Sequence, residues 1–117
     1  VRAVLLELYR SPEVVVMITL KTTGGDTARA IADRVPFVTS GALRAVAKGD
    51  AGFWNTGRLS TAEYELYHTT IDTMDYVVLS YNTPIAWHSA AGWHRVNQKF
   101  SVTTSKHQSN LYLITEA

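Results

Sequence analysis

The chain has 117 residues, of which 46% are hydrophobic and 18% charged, with a net charge of +1 and no cysteine. This length suits one domain with a real core, and the missing cysteine excludes disulfides, thiolate metal sites and a cysteine nucleophile. The last 39 residues carry +2 and the first 78 carry −1, too small an asymmetry to mark a nucleic-acid-binding protein by itself, and no apolar run approaches the roughly 20 residues that span a bilayer.

At the N-terminus, Arg2 and the apolar residues 3–6 have the outline of a secretory leader. Glu7, Arg10 and Glu13 interrupt the run and no small-x-small cleavage site follows, so no signal peptide is expected. The chain opens on Val1 and reaches its first methionine at Met17. That leaves two readings of residues 1–16: native sequence, or an upstream extension from a valine-type start or a mis-set gene start. Residues 3–9 read as a strand or short helix, and residues 10–13 as a turn. Residues 14–20, apolar and β-branched, read as a strand.

Gly24-Gly25 breaks that pattern, and Asp26 is the expected N-cap of a helix over 27–35, with Ala28, Ile31, Ala32 and Val35 at helical spacing. Pro36 stops it. Residues 37–39 and 42–46 flank Ser40-Gly41 as a short hairpin, and residues 48–57 form a connector whose Phe53 and Trp54 are expected to fold back onto the core. Ser60-Thr61-Ala62-Glu63 is a capping box, the hydroxyl meeting the Glu63 amide and the carboxylate returning to the cap amide. The helix it opens, over 61–70, would turn Tyr64 and Tyr67 inward with Leu59.

Residues 76–81 are a strand, and Thr83-Pro84 in its continuation marks an edge or a bulge. Ala90-Ala91-Gly92 is a turn and residues 93–102 the return strand of a C-terminal β-hairpin. Thr103, Thr104 or Ser105 would cap a closing helix. The expected fold is thus a single α+β domain: a small antiparallel sheet with that hairpin and two or three short helices.

No stretch carries a catalytic signature, and no cofactor site is expected. With a three-residue turn, His88 and His94 would face each other across the hairpin, two imidazoles that still lack the third and fourth ligands of a usual metal site. Asp72 and Asp75 read as solvated acids of a connector. Gly24-Gly25-Asp26-Thr27 lacks the lysine and glycine spacing of a phosphate loop. The run from Phe100 to Gln108 is the most unusual: Thr104, Ser105, Lys106, His107 and Gln108 gather hydroxyls, an amide and positive charge at an expected helix start, where phosphate contact is chemically natural. Trp87, Trp93 and Arg95 on the hairpin complete the candidate binding set, being residue types that anchor interfaces. The partner would be a host protein or nucleic acid, not a membrane; a copy of the same chain could pair along the Pro84 edge. The competing reading is a metal-dependent hydrolase built on His88, His94 and His107 with Asp72 or Asp75.

Two segments, Tyr81-Asn82-Thr83-Pro84-Ile85-Ala86-Trp87-His88 and Phe100-Ser101-Val102-Thr103-Thr104-Ser105-Lys106-His107-Gln108, resemble a family of small uncharacterised proteins of actinobacterial phages and mobile elements. Its pattern is S-Y-x-T-P-I-A-W, a turn, then (Y/F)-S-V-T-T-S-(K/R)-H-Q. Thr56-Gly57-Arg58-Leu59-Ser60 and Pro36-Phe37 with Gly41-Ala42-Leu43 are also similar to it. The resemblance covers residues 36–113 and leaves 1–25 outside. It implies a phage or prophage origin and life in the cytoplasm of a bacterial host, and brings no known activity, cofactor or catalytic residue.

Overall fold

The computed structural model describes residues 17–114; the expectations for 3–9, 10–13 and 14–16, and the origin of 1–16, lie outside the described residues. The elements are β1 (Ile18–Leu20), α1 (Gly25–Ala32), β2 (Phe37–Thr39), β3 (Leu43–Ala47), α2 (Thr61–Thr70) with a 3₁₀ turn at Ile71–Thr73, β4 (Tyr76–Ser80), β5 (Thr83–Ser89), β6 (Gly92–Arg95) and α3 (Val102–Gln108) with a 3₁₀ turn at Ser109–Leu113. The class is α+β as expected. The sheet is larger and more mixed than expected: six strands lie in chain order β1 to β6, with β1 parallel to β2 across the α1 crossover and the later pairs antiparallel.

Short turns join β2 to β3, β4 to β5 and β5 to β6 and set each strand beside the last one, while the long β3–β4 connection, residues 48–75, carries α2 and returns the chain to the free side of β3. Alternation along the strands then sends side chains to two cores. On one face Phe37, Leu43, Ala45, Tyr76, Val78 and Ala86 pack with Ala30 and Ile31 of α1 and with Leu111 and Ile114. On the other Val46, Val77, Leu79 and Trp87 pack with Phe53, Tyr67 and Met74. β4 lies at the centre of this sandwich and all five of its residues are buried, the continuous apolar pattern of a strand covered on both faces.

Several local expectations change. α1 begins two residues early behind Gly24, with Asp26 in its first turn and no side-chain cap. It ends at Ala32, where Val35 N–H bonds Ala30 O and Arg34 N–H bonds Ile31 O. That is a Schellman ending, and it places Arg34 at φ +57°, where glycine is the usual residue. The 81–84 stretch is a turn and not a strand continuation. Tyr81 and Asn82, at φ +51° and +64°, form the two-residue connection of a tight β4–β5 hairpin, the geometry whose twist matches its strands. Pro84 is consequently interior to the sheet. It sits beside the register shift between β4 and β5 and beyond the β5–β6 pairing, which starts at Ala86, so its missing N–H is tolerated. The edge expected at Pro84 is corrected at the level of strands: β5 lies between β4 and β6, and the edge strands of the sheet are β1 and β6. The final strand also stops early: β6 ends at Arg95 and residues 96–101 cross the sheet end to reach α3. Phe53 reaches the core while Trp54 and Tyr64 stay exposed.

Candidate functional site

The tight β4–β5 turn, the loop around Arg58 and the start of α3 meet at one end of the sheet. Arg44 clamps the turn, its Nη2 donating to Asn82 Oδ1 at 2.9 Å and its Nη1 to Ala51 O at 3.3 Å. The Arg58 N–H donates to Thr83 Oγ1 at 2.8 Å. Gly57, at φ +48°, brings the loop so close that a Cβ there would lie 2.6 Å from both Asn82 O and Thr83 Cα. Gln98 ties the third strand of chain in, accepting from Ser60 N–H and donating to Arg58 O, both at 2.8 Å.

These ties enclose a cavity of about 330 Å³ lined by Arg58, Ser80, Tyr81, Thr83, Phe100, Ser101 and Thr104. Its floor is a hydroxyl network. Ser80 Oγ lies 3.0 Å from Thr104 Oγ1 and 2.7 Å from His107 Nδ1. Ser101 caps α3, accepting the Thr104 N–H at 3.3 Å. Burial holds the His107 imidazole below the usual histidine range by desolvating its charged form, so it serves the network as a neutral partner at pH 7. On the rim the Tyr81 ring is 59% exposed, fixed on a rigid turn. No carboxylate lines the cavity, and none occurs between Asp75 and Glu116 in the sequence. The arrangement offers hydroxyl and guanidinium donors beside an exposed aromatic face, the chemistry of phosphodiester and base recognition.

The sequence-derived residues divide. Thr104 lines the cavity, buried. Lys106 and Ser105 are exposed on α3 and Gln108 is half-buried. His107, expected at the surface, is buried at 3% exposure beneath Ser80, and Trp87, expected as an interface anchor, is wholly buried. Trp87 packs edge-on to Tyr67 at 5.6 Å and against His94 at 4.7 Å. Trp93 is half-buried against Tyr76 and His88, and Arg95 is exposed on β6. The turn after β5 spans two residues, which pairs His88 with Trp93 and His94 with Trp87. The two histidines therefore occupy opposite faces of the sheet. Neither joins His107, and among the described residues no three histidine or acidic side chains gather to hold a metal ion. Asp75 and His88 do pair, at 2.8 Å, with Arg34 Nη1 3.0 Å from His88 Nε2. Because a guanidinium only donates, the ring proton lies on Nδ1, toward Asp75.

Arg58, Ser80, Tyr81, Thr83, Phe100 and Ser101 were absent from the sequence-derived set. Tyr81-Asn82 between two apolar runs was the available signal, since asparagine tolerates the left-handed conformation of a tight hairpin turn. Three of the segments that carry the resemblance, 56–60, 81–88 and 100–108, contribute residues to this end of the sheet, while Pro36-Phe37 and Gly41-Ala42-Leu43 do not line the cavity.

Residues 44–115, more than half of the chain, match the family of unknown function DUF8033, and the chain belongs to it. No curated protein and no solved structure matches. Among the described residues no helix is long and apolar enough to cross a membrane.

Proposed function

We propose that this member of the DUF8033 family is a binding module that holds single-stranded nucleic acid at the cavity between Arg58 and Tyr81. The observation that carries this reading is a carboxylate-free cavity of hydroxyls with a guanidinium and an exposed, rigidly mounted tyrosine on its rim. A base stacks on Tyr81 while Arg58 meets the phosphates. The phage or mobile-element origin implied by the resemblance makes nucleic acid of the host or the element the natural target. The metal-dependent hydrolase is less well supported, since its three histidines lie apart.

The test is fluorescence anisotropy of a labelled dodecamer of single-stranded DNA or RNA, titrated at several salt concentrations. Binding should weaken with salt, and Arg58→Ala should reduce the logarithmic salt slope by about 0.7, the amount one single-strand phosphate contact gives. Tyr81→Ala should weaken binding at every salt concentration, by about 1–3 kcal/mol for one stacked base. Absence of binding to either polymer at low salt overturns the reading and leaves a protein as the partner.

A further inference from the structure

The molecule holds a second cavity, of about 540 Å³, lined by His94, Arg95, Val96, Asn97, Gln108 and Leu111. Behind His94 stands Glu63, a carboxylate only 7% exposed. Its position is unexpected from the sequence. As the closing residue of a capping box it should bond the Ser60 N–H, but Gln98 takes that amide. Glu63 is released to a different pair of donors: the Asn97 N–H at 2.7 Å to Oε1 and His94 Nε2 at 2.8 Å to Oε2.

The two contacts determine the state of the imidazole. An ionised carboxylate only accepts, so neutral His94 carries its proton on Nε2 and keeps its lone pair on Nδ1. Trp87 holds the ring from beneath at 4.7 Å. A buried carboxylate that orients a histidine lining a cavity is the geometry of a general base positioned by a third group. The amides of Asn97 and Gln108 and the Arg95 side chain, with apolar Val96 and Leu111, fit the wall to a small, polar acyl compound.

We propose that His94, positioned by Glu63, is a general base acting on small acyl esters in this cavity, a site separate from the nucleic-acid cavity. In the step, Nδ1 takes a proton from water as the water oxygen bonds the acyl carbon. The ester C–O bond then breaks, and the departing alkoxide takes the proton from His94 to leave as the alcohol, with a carboxylic acid as the second product. No oxidant or metal is needed.

The probe is p-nitrophenyl acetate with the full-length chain, followed by p-nitrophenolate release. His94→Gln should lower the rate above buffer at least tenfold. The decisive variant is Glu63→Gln, which keeps the shape and the bond from Asn97 but turns an amide N–H toward His94 Nε2, forcing the ring proton onto Nδ1. It should lower the rate about tenfold with the thermal midpoint little changed, and the imidazole ¹⁵N shifts should report the exchanged tautomer. A His94→Gln rate equal to that of the wild-type chain overturns the proposal. So does a tautomer change in Glu63→Gln that leaves the rate intact. Should His94→Gln fail to fold, acylation by diethyl pyrocarbonate decides: His94 should react several-fold faster than the exposed His68, and equal rates refute the activation.

Discussion

Replacing Gly57 with alanine tests whether the Arg58 loop is docked on the β4–β5 turn as tightly as the cavity requires. Two costs combine. A left-handed residue with a Cβ, at φ +48°, costs about 1 kcal/mol relative to glycine. The added methyl would lie 2.6 Å from Asn82 O and from Thr83 Cα, both backbone atoms of a tight turn, so the loop itself must retreat. That retreat breaks the bond from the Arg58 N–H to Thr83 Oγ1, worth about 1 kcal/mol, and adds packing strain of about 1 kcal/mol or more. The expected loss is about 3 kcal/mol in urea unfolding followed by tryptophan fluorescence. Gly49→Ala is the control: its φ is +99° but nothing lies within 4 Å of the added Cβ, so only the conformational cost of about 1 kcal/mol applies. A Gly57→Ala protein no less stable than Gly49→Ala would refute the close docking, and with it the shape of the cavity. Oligonucleotide binding should fall alongside stability at Gly57 and stay unchanged at Gly49.

Arg34 occupies the left-handed C-terminal position of α1 at φ +57°, so Arg34→Gly should be more stable than Arg34→Ala by about 1 kcal/mol; both lose the His88 contact, and equal chemical-denaturation midpoints would contradict the Schellman ending. Ser101→Ala removes the side chain that caps α3 and should cost about 1 kcal/mol, measured as a lowered thermal midpoint. His107 has a folded-state pKa below its unfolded value near 6.5, so the unfolded chain binds the extra proton first. Its contribution to stability is complete above the unfolded pKa and is lost as pH falls from about 6.5 toward the folded value. Stability measured between pH 7.5 and 5.5 should therefore fall more steeply in the wild-type chain than in His107→Asn, where the amide replaces Nδ1 without titrating. Parallel pH profiles would show that His107 is not buried under Ser80.

Local physics made much of this protein legible. The capping box at Ser60 opens a helix at the expected residue, because Ser60 Oγ accepts the Glu63 N–H at 3.3 Å, an interaction decided within four residues. The hairpin around Ser40-Gly41 and the strand beginning at Tyr76 likewise follow from turn residues and apolar content nearby. What failed depended on partners far along the chain. Whether 81–84 continued a strand or reversed it was settled by the sheet, which needed β5 beside β4 and accepted Tyr81 in a conformation that side chains rarely adopt. His107 carries a polar, surface-like sequence around it, yet Ser80, 27 residues away, gives it a buried partner. Glu63 met the local rule for a cap and was drawn instead to Asn97 and His94, more than thirty residues on.

The amino-acid order thus determined by itself the α+β class, the position of α2, the early hairpin, and a stretch from 76 to 115 whose hydroxyls and amides stand among positive charges without an acidic side chain, since these depend on neighbours a few residues apart. Only the tertiary structure decided which of those groups face a common cavity and which lie in the core. A hydroxyl at Ser80 or an imidazole at His107 is satisfied by whatever the sheet and α3 bring within three ångströms, and that distance is set by packing two layers against the sheet.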